Sequence, residues 1–253
     1  MVYVYRTKLI FQPLWRLNVI EIKYFYSQMK LFSTFLFLLL ISFFDSETGA
    51  IFMVDNFNSS QVGILPEGWS GRKKEAAKYY KIKEDPEDKG NKYLSVTNDS
   101  TDMFIIKKIK VDLVKYPFLN WKWKINQLPK NGKENKKKTC DVAASVNVVL
   151  VASKWRPKTI KYSWSTTLKK NVFTKSPYAF WPSRCDIIVI ESGDELKGQW
   201  ITEKRNVLED YIRLYKKKKV KSRVIDALVI MSDGDNTKSV SAADYDDIFF
   251  SAN

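Results

Sequence analysis

The side chains able to do chemistry in this sequence are carboxylates, and they gather towards its C-terminal end. Asp233, Asp235 and Asn236 stand in the run DGDN, and Asp244, Asp246 and Asp247 follow shortly after. Closely spaced oxygen ligands on a glycine turn suit calcium, although the remaining ligands of an EF-hand loop and its closing glutamate are missing. As a plain turn, the same run would be satisfied by its own backbone. In the alternating stretch YDDIFF one of Asp246 and Asp247 must point inward, where a carboxylate needs a cation or several N–H donors. Asp55 is the companion expected for it, because first and last strands often pair in β-sandwiches. Carboxylates brought together repel unless a cation lies between them or one keeps its proton. Asp55, Asp246 and Asp247 are therefore the expected metal ligands, with calcium as the cofactor.

Tryptophan is the second signal. Trp121 and Trp123 share one face of the alternating segment LNWKWKI, which reads as core. Trp155 and Trp181 lie in irregular, proline-containing segments (KWRPK and FWPSR) and are the candidates for stacking on a sugar or a peptide. Together with Asp233 and Asp235 they form the expected ligand-binding set. Glu191, Glu203 and Asp210 offer carboxylates for a glycosidase, a chemistry that depends on a separation that sequence does not set.

Much chemistry is excluded. Histidine is absent, which removes the Ser-His-Asp triad and any zinc site with histidine ligands. Two cysteines cannot make a four-cysteine zinc site. Neither Gly-x-Gly-x-x-Gly nor Gly-Lys-Ser/Thr occurs, so nucleotide binding has no motif. Lys plus Arg is 43 against 28 Asp plus Glu, a net charge of +15. Such a balance suits an anionic partner, whether nucleic acid, an acidic polysaccharide or a membrane surface, or is plain compositional bias. Only eight of the cations are arginine, the residue suited to reading bases and phosphates in pairs of bonds, which argues against nucleic acid.

Met29 to Ala50 (MKLFSTFLFLLLISFFDSETGA) has one lysine, an uncharged apolar run from Leu31 to Phe44 and small residues at Thr48-Gly49-Ala50. That layout predicts a secretory signal peptide over 29–50, with an uncleaved anchor as the alternative. Residues 1–28 then read as an over-called start, and 51–253 as one exported domain, periplasmic or extracellular, with no membrane span once the signal is removed. In an oxidising compartment Cys140 and Cys185 either close one long loop or remain two buried thiols.

The elements that must position these groups are mostly strands. Alternation or apolar runs predict strands at 92–97, 103–111, 119–125, 141–152, 159–165, 186–191, 199–202, 224–231 and 245–250. Asp85-Pro86, Lys89-Gly90-Asn91, Asn131-Gly132, Ser192-Gly193-Asp194 and the DGDN run separate them. The run DVAASVNVVLVA is nearly continuous, as in a strand covered on both faces. One helix is expected at Arg205 to Lys216, burying Leu208, Tyr211, Ile212 and Tyr215. The whole reads as all-β, a jelly-roll-like β-sandwich with one short helix packed on it.

The segments LNWKWKI, DVAASVNVVL, IKYSWS, DIIVIESG, EKRNVLEDYIRLY and ALVIMSDGDNT with ADYDDIFF, preceded by VDNFN and EGW, resemble a bacterial exported family catalogued as domain of unknown function 3047. The resemblance spans nearly all of the chain after residue 50 and brings no established activity. Its ending is also similar to that of jelly-roll carbohydrate-binding modules, in which a structural calcium commonly ties first and last strands. This implies the same role for Asp55 and Asp247 by analogy. Two positions depart from the family pattern: Cys140-Asp141 stands where paired aspartates are usual, and Ser145 where arginine is usual. The expectation for the whole is an exported sandwich that binds a glycan or another envelope ligand without catalysis. The rivals are a carboxylate-dependent hydrolase or lyase acting on a polysaccharide, and a structural envelope protein with a protein partner.

Overall fold

The computed structural model describes residues 49–151, 157–179, 183–216 and 223–253. The expected leader lies almost wholly outside these residues, as do Trp155 and Trp181. From Gly49 onward the chain builds thirteen strands: β1 (Ile51–Asp55), β2 (Trp69–Gly71), β3 (Tyr80–Glu84), β4 (Lys92–Asp99), β5 (Phe104–Asp112), β6 (Phe118–Gln127), β7 (Val142–Val151), β8 (Pro157–Ser165), β9 (Phe173–Lys175), β10 (Arg184–Ser192), β11 (Ile201–Asn206), β12 (Val224–Asp233) and β13 (Val240–Ser251). Helix α1 (Ala76–Tyr79) is a single turn, and α2 (Val207–Tyr215) follows β11 directly.

The strands form two sheets, which we call A and B. Sheet A has six strands in the order β11-β6-β13-β4-β3, with β1 paired to β13; sheet B has seven in the order β2-β5-β12-β7-β8-β10-β9. All neighbours are antiparallel except β8 and β10. That parallel pair needs a long connection, which the chain supplies with the segment carrying β9. The chain passes back and forth between the sheets, and its first described strand closes onto its last. This is an all-β, jelly-roll-like sandwich with one nine-residue helix packed on it.

Side-chain period explains the layers. In β6, Leu119, Trp121, Trp123 and Ile125 are all fully buried, while Lys122 and Lys124 on the other face are only half-buried. The two tryptophans meet β8 across the core: Trp121 stacks on Tyr162 at 5.6 Å, and Trp123 meets Trp164 edge-on at 5.6 Å. Such pairs contribute roughly 0.5–1.5 kcal/mol each beyond the area they bury. Strand β7 is the middle strand of sheet B, and Val142 through Val148 are all buried, on both faces. Tyrosines of sheet A bond to backbone groups of sheet B. The Tyr245 hydroxyl accepts from Ser145 N–H at 3.0 Å, beside the register shift between Met231 and Asp233.

Two boundaries differ from expectation. Strand β11 begins at Ile201 rather than Gln199 and runs on to Asn206, because Ile201 through Asn206 pair with β6. The helix therefore starts at Val207, not Arg205. Asn206 caps it by accepting from Glu209 N–H at 3.0 Å, and Lys216 closes it in the left-handed region at φ 51°. Its buried face is Val207, Asp210, Tyr211 and Tyr215, with Leu208 and Ile212 half-buried and Glu209, Arg213 and Lys216 wet. The strands β2, β3 and β9 were not anticipated; each is five residues or shorter.

Candidate binding cleft

The face of sheet B turned away from the core carries a cleft of about 460 Å³. Its floor comes from alternate residues of adjacent strands: Asn147 on β7, Thr159 and Lys161 on β8, Cys185 on β10, and Met231 and Asp233 on β12. Its walls are Cys140, Ser176, Tyr178, the turn residues Asp235 and Asn236, and the ion-paired Arg72 and Asp102. The same alternation that sends Ile160, Tyr162 and Trp164 into the core sends Lys161 and Ser163 to the opposite face.

The DGDN run lies at one end of this cleft. Asp233 and Asp235 gather there with Asp141, each offering an oxygen within 4.8 Å of the others. What organises the turn is Asp141, which the sequence left aside. Its Oδ1 accepts from the backbone N–H and the side-chain amide of Asn236, both at 3.1 Å. Its Oδ2 accepts from the backbone N–H and hydroxyl of Thr237 at 2.7 and 2.5 Å. Asp233 is buried and accepts from Val142 N–H at 2.9 Å. Burial pushes its carboxyl up to about 8, against the pull of Lys161, so it holds its proton near neutral pH.

Lys161 occupies the middle of the floor, directly opposite Asn147 in the β7–β8 register. Only 8% of it is exposed. Burial disfavours its charge, but Asp233, then Cys140, Cys185 and Glu134, more than offset that and raise it above the ordinary lysine value. Glu134 is itself fully buried and raised by desolvation, and accepts from the Ser165 hydroxyl at 2.7 Å. Tyr178 stands at the mouth, 45% exposed, its hydroxyl 2.5 Å from Asn236 Oδ1. Both cysteines line the cleft as free thiols, so the open choice between a bridge and two thiols falls to the latter. Burial pushes Cys140 up to about 12 and Cys185 up to about 11, so neither supplies a thiolate nucleophile near neutral pH.

The other expected ligands are not brought together. Strand β1 does pair with β13, and Asp55 lies opposite Ile248. Its carboxylate, however, accepts from the Trp69 indole at 2.8 Å, the Lys107 ammonium at 2.7 Å and Phe57 N–H at 2.9 Å. Asp246 accepts from Asn91 and from Asp247 N–H, and Asp247 is ion-paired with Lys122 at 2.7 Å. A register irregularity between Asp246 and Phe249, with Asp247 at φ 47°, turns the two carboxylates apart. Lysines already neutralise Asp55 and Asp247, so these residues do not fit a calcium ion. In the Asp141 group the carboxylate of Asp141 already accepts from four N–H and O–H donors.

Of the carboxylates considered for glycosidase chemistry, Glu191 on β10 and Glu203 on β11 do meet, across the two sheets and outside the cleft lining. Burial, then the neighbouring Glu191, pushes Glu203 up to about 7, and its Oε1 accepts from the Trp123 indole at 3.3 Å. Asp210 is apart from them, holding Arg205 at 2.6 Å and the Tyr162 hydroxyl at 2.9 Å. Sequence reasoning missed Asn147, Lys161 and Tyr178, and took up Asp141 only as a departure from the family pattern. The signal for Lys161 was present, as a cation within a regular alternation. Nothing in the sequence shows that this outer face is partly covered.

No helix among the described residues is long and apolar enough to cross a membrane. No curated protein sequence matches the chain. Several solved structures are similar at low identity. TmCBM61 in complex with β-1,4-galactotriose is 8% identical with a TM-score of 0.36, over 78% of this chain and 94% of that one. The xyloglucanase domain of NopAA, a type three effector from Sinorhizobium fredii, is 9% identical with a TM-score of 0.41, over 79% and 95%. A family 12 xyloglucanase from Bacillus licheniformis is 12% identical with a TM-score of 0.37, over 82% and 92%. The family described as protein of unknown function (DUF3047) matches residues 67–249, most of the sheets and the whole cleft floor, and the chain belongs to that family.

Proposed function

We propose that this protein is an exported glycan-binding sandwich whose ligand lies in the cleft on sheet B. The observation that carries the reading is the composition of that cleft. An exposed tyrosine ring stands at its mouth, and donors and acceptors line it: Lys161, Asn147, Thr159 and Asp233 on the floor and Asp235 in the wall. A sugar offers a ring face and many hydroxyls, each both donor and acceptor, and this arrangement answers both. The apolar leader supports export.

A second reading, hydrolysis, has one observation in its favour. Asp233 keeps its proton beside Asp235, with oxygens no farther apart than 4.8 Å. That approaches the ~5–5.5 Å between the two carboxyl groups of retaining glycosidases. One experiment addresses both readings. Calorimetric titration with a panel of soluble polysaccharides, followed by an assay for new reducing ends, should show binding that Tyr178→Ala weakens about tenfold or more, with no chain cleavage. No binding across the panel would overturn the first reading. Reducing ends released by the wild type and abolished by Asp233→Asn would replace it with the second.

A further inference from the structure

Lys161 holds a buried ammonium whose hydrogen-bond donors its own fold leaves without partners. Among the described residues no hydrogen bond or ion pair engages its Nζ, although three N–H donors sit there. Its neighbour across the register, Asn147, is also nine-tenths buried, and its Oδ1 has no partner. Both residues line the cleft. Burying an ammonium without bonds is costly, and the groups that offset that cost, Asp233 first, act on Lys161 without bonding to it. Asp141 is occupied by four donors, and none of them is Lys161. The other cation of the cleft, Arg72, is already spent on Asp102.

We infer that the ligand of this cleft is an acidic glycan, with a sugar-borne oxyanion, a uronate carboxylate or a sulfate ester, seated on Lys161 and a neighbouring hydroxyl donating to Asn147. The inference rests on the glycan reading above and names the class of glycan. An ammonium bonded to an oxyanion makes charge-assisted bonds roughly twice as strong as neutral ones. A neutral sugar would offer the Lys161 ammonium only the weaker kind of bond. The composition agrees: a net charge of +15, carried mostly by lysine, draws polyanions towards the molecule.

The test uses the full chain after residue 50 and three probes: tetragalacturonate, its neutral methyl ester, and a sulfated galactan tetramer. The ester keeps the shape and removes the charge. The wild type is expected to bind at least one of the two acidic probes about tenfold or more tighter than the ester, and the better of them identifies the oxyanion. Lys161→Met, which keeps the length and loses the charge, is expected to bring that preference to within about twofold. Because the ester comparison uses the wild type, a folding defect in the variant cannot obscure it. Equal or tighter binding of the ester would overturn the acidic class and leave the glycan reading standing. An acid preference that survives in folded Lys161→Met would place the oxyanion elsewhere and overturn the assignment to Lys161. No binding of any probe, together with binding of an unrelated neutral polysaccharide in the panel, would overturn the inference alone. No binding of any glycan at all would overturn both.

Discussion

Asp141 shows how a single buried carboxylate organises a turn. Four donors converge on it, two of them backbone N–H groups of Asn236 and Thr237 that no other acceptor would satisfy inside the cleft wall. Removing it leaves those groups unmet and frees Asp233 and Asp235 to separate. Asp141→Ala is expected to cost about 3 kcal/mol in denaturant unfolding, and Asp141→Asn, which retains acceptors for only part of the set, about half of that. A loss below about 0.5 kcal/mol for the alanine variant would mean that solvent replaces these bonds and that the turn stands by itself. At this scale the sequence was informative where chemistry is local. DGDN reads as a turn with clustered oxygens from its own residues. Lys161 escaped notice, and Asp141 was named only as a departure from the family pattern, because their roles depend on partners distant in sequence: Asp141 meets residues 236 and 237, and Lys161 is influenced by Asp233. The calcium expectation failed to gather its ligands for the same reason. Lys107 reaches Asp55 from the other sheet and Lys122 reaches Asp247 from the neighbouring strand, and no sequence spacing announces that.

Elements with a long period were legible before the structure was known, and short ones were not. Strands β6, β7 and β8 announce themselves by alternation or by a continuous β-branched run, and each lies where that pattern requires. β2 and β9 are three residues each, too few for any period, and exist because a longer neighbour offers them an edge. The junction of β11 and α2 is the instructive boundary. Arg205 fits a helical pattern, yet pairing with β6 holds it in the sheet, and Arg205 then reaches Asp210 at 2.6 Å in the first turn of the helix. The helix is also rotated relative to its expected face, so that Tyr211 is buried while Leu208 is only half-buried. Tyr211→Ala should therefore cost on the order of 3 kcal/mol, and Leu208→Ala only about 1 kcal/mol. Thermal and denaturant unfolding of the two variants checks the order. A larger loss for Leu208→Ala would return the helix to the face that its sequence pattern proposes.

Across the whole molecule, the two sheets are joined by aromatic packing and by polar contacts of opposite pH character. Trp121, Trp123, Tyr162 and Trp164 join β6 to β8 whatever the pH. Glu203 of sheet A and Glu191 of sheet B meet beside Lys170, which is ion-paired with Glu191, and burial, then the neighbouring Glu191, raises Glu203 to about 7. Asp233 at about 8 and Asp246 at about 6 are raised by burial in the same sense. In the unfolded chain such carboxyls titrate near pH 4. Between that value and their folded values the native state therefore binds more protons than the unfolded state. Stability is then full below about pH 4 for these groups and declines as pH rises through about 6 to 8. The expected result is a loss of roughly 2–4 kcal/mol between pH 5 and pH 8.5, opposite in direction to ordinary acid denaturation. Glu203→Gln keeps an acceptor for the Trp123 indole and can donate to Glu191 without titrating. Its stability should match the wild type at pH 4 to 5 and exceed it by on the order of 1–2 kcal/mol at pH 8.5. Urea unfolding at the two pH values decides the matter. If the variant loses stability equally at both, Glu203 contributes through its shape and bonds, and not through its proton.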